Sequence, residues 1–100
     1  MPASTDDLNR WASKYLGESD EDADHAVDAR WWTSSPAAAF AVLMKCVNSG
    51  IKLEMDVIDG RCTIELDEVQ VDGPTRQMGR LMVEAAYMCQ NGGKDEEDDT

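Results

Sequence analysis

The hydrophobic positions of this chain change period several times, and each change marks an element. Leu8, Trp11, Ala12, Tyr15 and Leu16 recur at helical spacing, with Asn9, Arg10, Ser13 and Lys14 mostly off the stripe. Ser4 or Thr5 is placed to cap this first helix, and Asp6 and Asp7 sit at the positive end of its dipole. Gly17 supplies a left-handed stop. Ala29 to Thr33 reads as a short strand, in which the adjacent Trp31 and Trp32 must point to opposite faces. Ser35 and Pro36 then read as the cap and first residue of a second helix that runs to about Asn48. With no charge before Lys45 and a bulky stripe of Phe40, Leu43, Met44 and Val47, it is expected to be the central helix of the core.

After Gly50 the period becomes a simple alternation: Ile51, Leu53, Met55 and Val57 against Lys52, Glu54 and Asp56, the signature of a half-buried strand. Asp59-Gly60 is the dipeptide that suits a two-residue type I′ turn, because both positions need positive φ. That turn fixes the register: Ile58 faces Arg61, Val57 faces Cys62, Met55 faces Ile64 and Leu53 faces Leu66. Val69 and Val71 predict an optional third strand, and Asp72-Gly73-Pro74-Thr75 turns the chain into a last helix with the stripe Met78, Leu81, Met82, Ala85 and Cys89. The expected fold is α+β, a small and mainly antiparallel sheet of three to four strands packed with helices in the order α-β-α-β-β-(β)-α.

Charge changes this picture at two places. Residues 18–28, ESDEDADHAVD, contain no Lys or Arg and one bulky aliphatic, Val27, so self-repulsion predicts a mobile acidic linker. Residues 91–100, NGGKDEEDDT, offer nothing to bury and read as a disordered acidic tail, which leaves 1–90 as a single expected domain. Across the 100 residues, 42% apolar content suffices for one compact core. The 21 acidic and 9 basic side chains give a net charge of −12, which repels polyanions. Direct nucleic-acid binding is not expected, since the cations are scattered from Arg10 to Lys94 rather than gathered into a patch. No apolar run approaches a membrane span, and the opening residues lack the basic and apolar regions of a signal peptide, so a cytoplasmic location is expected. Cys46, Cys62 and Cys89 lack metal-ligand spacing and fall on apolar sides of their elements, which makes them buried free thiols.

The chemistry of catalysis finds few parts. The one histidine, His25, lies in the acidic 18–28 segment, away from any nucleophile in a glycine elbow. Ser34 and Ser35 are explained by helix capping, and the methionines by core packing. Asp20, Asp22 and Asp24 recur at the spacing that opens a calcium loop, but the place that demands glycine holds His25 and the place that demands a bidentate glutamate holds Trp31. Neither enzyme activity, nor a metal site, nor a cofactor is expected.

What remains is acid and tryptophan. Glu54, Asp56 and Glu65 share the solvent face of the hairpin, with Asp67, Glu68 and Asp72 nearby and Lys52 and Arg61 as the opposing cations. Glu54 and Glu65 are expected directly across from each other, a like-charge pair that costs stability. Of the two indoles, one is expected in the core and Trp32 is chosen as a partly exposed anchor. The predicted partner-binding residues are therefore Asp20, Glu21, Asp22, Asp24, Trp32, Glu54, Asp56 and Glu65.

The segments DLNRWASKYLG, RWWTSSPAAAFAVLMKCVNSG, IKLEMDVIDGRCTIEL and QMGRLMVEAAYMC resemble small phage proteins with an α/β sandwich. In size, acidity and lack of catalytic residues the chain also resembles the anti-CRISPR class, in particular inhibitors of type I surveillance complexes. That resemblance implies a phage-type inhibitor that binds a basic nucleic-acid-recognition surface of a host CRISPR-Cas complex, as a monomer or homodimer. Two alternatives stand beside it: a domain that sequesters a small molecule or nucleotide in a pocket, and an oligomeric structural accessory protein.

Overall fold

The computed structural model of this chain describes residues 4–92; of the acidic tail expected at 91–100, Asn91 and Gly92 instead belong to the turn that follows the last helix, and positions 93–100 lie outside the described residues. The fold is α+β, with helices leading into a three-stranded antiparallel sheet and a closing helix. Helix α1 spans Thr5–Tyr15, α2 Asp20–Ala29, the single turn α3 Trp31–Ser34, and α4 Pro36–Asn48. Strands β1 Leu53–Ile58, β2 Arg61–Leu66 and β3 Val69–Pro74 follow in the spatial order β1-β2-β3. A 3-10 turn at Thr75–Gln77 leads into α5, Met78–Tyr87, whose end widens into a π turn at Met88–Gly92.

The sheet matches the expected hairpin residue for residue. Asp59 and Gly60 both take positive φ, 52° and 79°, and the pairs Leu53–Leu66, Met55–Ile64, Val57–Cys62 and Ile58–Arg61 are in register. A second two-residue turn at Asp67-Glu68, with Asp67 at φ 53°, joins β2 to β3. Cys62, Ile64 and Leu66 of the middle strand are fully buried against the helices.

Four expectations are corrected. First, the segment expected as a mobile acidic linker is the helix α2. Ser19 caps it by accepting from the Asp22 N–H, Asp20, Glu21 and Asp22 stabilise its first turn, and Ala23 and Ala26 pack inward. Second, the expected strand at 29–33 is instead the end of α2, a corner at Arg30 in the left-handed conformation, and α3. Third, the central helix is α5 rather than α4, since α5 packs against β2 and β3 as well as against α1, α3 and α4. Its small residues Gly79, Ala85 and Ala86 are buried beside Leu81, Met82 and Val83, and a Cβ on Gly79 would stand 2.7 Å from the Thr33 carbonyl oxygen. Helix α4 buries the stripe Ala39, Val42, Leu43 and Cys46 and leaves Phe40 exposed. Fourth, Asn9 and Ser13 are fully buried, although the periodicity places them off the apolar stripe, because α3 covers that side of α1.

Buried Asn9 holds the corner together. Its Oδ1 accepts from the backbone N–H of Trp32 at 2.8 Å and of Thr33 at 3.2 Å. Its Nδ2 donates to the Thr5 carbonyl and to Thr33 Oγ1, both at 2.9 Å. Arg30 at the start of α3 gives no side-chain cap, so Asn9 supplies from α1 the acceptor that a local cap residue supplies elsewhere.

Candidate functional site

The helices pack on one side of the sheet, and the alternation of the strands sends the other set of side chains outward. Across β1, β2 and β3 the registered rows of that outward face are Glu54–Glu65–Gln70, Asp56–Thr63–Asp72 and Ile58–Arg61–Pro74. Glu54 thus stands directly opposite Glu65, as the hairpin register requires. Lys52 reaches Glu54 at 3.7 Å and Arg61 reaches Asp72 at 3.2 Å. Among the described residues, Asp56 and Glu65 have no ion-pair partner. The face therefore carries uncompensated carboxylate charge at its centre and at the β1 side.

The acids of α2 divide into two groups. Asp20 pairs with Lys14 at 2.5 Å and Asp24 with Arg10 at 2.6 Å, so two carboxylates four residues apart on α2 meet two cations four residues apart on α1. The Lys14 hydrogen bond and charge hold the Asp20 carboxyl below the ordinary aspartate range. Glu21 and Asp22 are exposed and make no ion pair among the described residues.

The tryptophans are the reverse of the expectation. Trp32, chosen as the exposed anchor, is 6% exposed, and its Nε1 donates to buried Ser13 Oγ at 2.7 Å. Trp31 is 53% exposed. The left-handed Arg30 sets this division, because it turns α3 so that Trp32 enters the core while Trp31 lies at the surface, its ring edge-on to that of Trp32. Trp31 lines an open cleft of about 340 Å³ with Glu18, Asp22, His25, Ala26 and Ala29. Sequence periodicity gives no sign of this cleft, which exists only because residues 20–29 are helical.

Cations and aromatic groups elsewhere serve the scaffold. Trp11 stacks on Tyr15 and meets Tyr87 edge-on, which ties α1 to α5. Lys45 lies over the Tyr15 ring and donates to the Tyr15 carbonyl. The Tyr15 hydroxyl lies 3.4 Å from Cys46 Sγ, and burial followed by that contact pushes the phenol above its ordinary value. Burial likewise pushes the Cys62 and Cys89 thiols up. Among the described residues, no three His, Cys, Asp or Glu side chains gather to hold a metal ion, and no helix is long and apolar enough to cross a membrane. Asp20, Asp22 and Asp24 lie in helical conformation, where alternate residues diverge rather than converge on one ion. No family model, no curated protein and no solved structure matches the chain.

Proposed function

We propose that this chain is a non-catalytic binding protein whose acidic sheet face occupies a basic, nucleic-acid-recognising surface of a partner protein. The observation that carries the reading is the face itself: an outward sheet surface with Glu54 registered against Glu65 and with Asp56 and Glu65 making no ion pair among the described residues. Directly opposed like charges cost a β-sheet roughly 0.2–1 kcal/mol. A partner rich in Lys and Arg turns that cost into attraction, speeds encounter and denies the occupied groove to polyanions. The resemblance to the anti-CRISPR class supplies the partner class, a CRISPR-Cas surveillance complex in the host cytosol. Glu21, Asp22 and the exposed indole Trp31 lie on α2 and α3, which pack on α1 and on each other rather than on the sheet, so they form a second acidic surface separate from the sheet face, and there Trp31 takes the anchor role expected of Trp32.

The cleft at Trp31 weighs against the nucleotide-sequestering alternative. Its carboxylates Glu18 and Asp22 repel phosphate, whereas an indole beside carboxylates suits a cationic side chain. The test is capture from a bacterial lysate at low and moderate salt, comparing the native chain with a Glu54→Lys/Glu65→Lys variant, with mass spectrometry of what is retained. A nucleic-acid-handling complex held by the native chain, weakened by salt and lost with the variant, is the expected result. Retention of the same proteins by both chains overturns the reading.

A further inference from the structure

Among the described residues no strand pairs with the β1 edge of the sheet, and the two faces along that edge differ in chemistry. Ile58 and Arg61 flank a two-residue turn, so they form a hydrogen-bonded pair, and the pattern alternates from there. Asp56 and Glu54 therefore bond back to β2, and so does Lys52, whose carbonyl accepts from the Asp67 N–H at 3.0 Å. The N–H and C=O groups of Leu53, Met55 and Val57 consequently point away from β2, along the free edge. These same residues direct their side chains to the helix side, where Leu53 and Met55 are only half-buried and Val57 is 52% exposed. Their neighbours Glu54 and Asp56 direct carboxylates to the outward face, and Ile58, 67% exposed, closes the strand.

We infer that β1 is a docking edge for an extended segment of the partner in which basic and aliphatic residues alternate. Such a segment continues the sheet by backbone hydrogen bonds to residues 53, 55 and 57. One set of its side chains lies beside Glu54 and Asp56 and is basic; the other lies beside Leu53, Met55 and Val57 and is aliphatic. A second copy of this chain is a poor occupant, because its own Glu54 and Asp56 would be brought against the same carboxylates. The inference rests on the acidic-face reading and adds to it a direction of approach and a sequence pattern.

The probe is a synthetic seven-residue peptide of alternating Lys and Val, compared with a peptide of the same composition in block order and with a version N-methylated along one edge. Affinity is read by titration, and amide hydrogen exchange is read residue by residue. The alternating peptide is expected to bind at least about tenfold more tightly than either control. It is also expected to slow exchange of the Leu53, Met55 and Val57 amides. Met55→Pro, which removes an edge donor without touching the β1–β2 ladder, is expected to abolish the preference. Equal binding of the block peptide without protection of those amides overturns the docking edge while leaving the acidic face intact. Failure of every peptide to bind also overturns the edge, and the lysate capture then decides the broader reading separately.

Discussion

At the scale of single residues, the most consequential side chain is one that periodicity assigns to solvent. Asn9 is fully buried and bridges α1 to the first turn of α3, accepting from two backbone N–H groups and donating to Thr5 and Thr33. In Asn9→Ala the Trp32 and Thr33 amides lose their acceptor inside the protein, and a buried unsatisfied donor costs about 1–3 kcal/mol. We expect Asn9→Ala to lower the unfolding free energy by about 2–4 kcal/mol in urea titrations with an unchanged slope. Asn9→Asp retains the acceptor but buries a carboxylate, so it is expected to rescue little. A loss of less than about 0.5 kcal/mol for Asn9→Ala would show that the corner is held by the indole of Trp32 and not by its backbone.

At the scale of elements, the parts differ in how legible they are from sequence, and the difference follows from where their stabilising contacts lie. The β1–β2 hairpin is readable to the register because alternation, Asp59-Gly60 and the paired apolar residues all sit within one short stretch. Helix α2 is misread because its bulk is small and its charge is balanced from elsewhere. Ala23 and Ala26 pack without large side chains, and the cations that offset Asp20 and Asp24 are Lys14 and Arg10 on α1. Its local signals, Ser19 followed by three acids, are nonetheless those of a helix start. The Trp31–Trp32 assignment fails for the same reason, since it depends on the left-handed Arg30 and on Asn9, not on a strand period. The close approach of α3 and α5 is the tightest packing consequence of this corner. A methyl at Gly79 would lie 2.7 Å from the Thr33 carbonyl oxygen, which is backbone and has little room to retreat. Gly79→Ala gains helix propensity of about 1 kcal/mol yet is expected to destabilise by about 1–3 kcal/mol net, through separation of α3 from α5. The measurement is thermal unfolding, with the fluorescence of Trp32 read in a Trp11→Phe/Trp31→Phe background reporting loosening of the corner; a rise in Tm would refute the contact.

At the scale of the whole molecule, the decisive quantity is how a net charge of −12 is distributed. On α2, carboxylates facing α1 are neutralised by Arg10 and Lys14, so that helix shows how the chain compensates acid where packing needs it. On the outward sheet face it does not, and Glu65 sits in the middle strand opposite Glu54 with no ion-pair partner among the described residues. If the face is a coherent negative field, replacing its central charge relieves a specific repulsion. If charge is spread evenly, any reversal of the same size gives the same relief. Glu65→Lys and Glu68→Lys change the net charge equally, but Glu68 lies in the β2–β3 turn, off the registered rows. We expect Glu65→Lys to raise stability by about 0.5–1 kcal/mol, a rise of several degrees in Tm for a domain of this size. Glu68→Lys is expected to give less than half of that. The difference should shrink in about 1 M salt, where the screening length falls to about 3 Å. A native protein that is less stable than its Glu65→Lys variant, while that variant binds its partner less well, is the pattern of a surface kept for binding. Equal gains from the two reversals at low salt would mean that the carboxylates act only through their sum, and the sheet face would lose its claim to be a site.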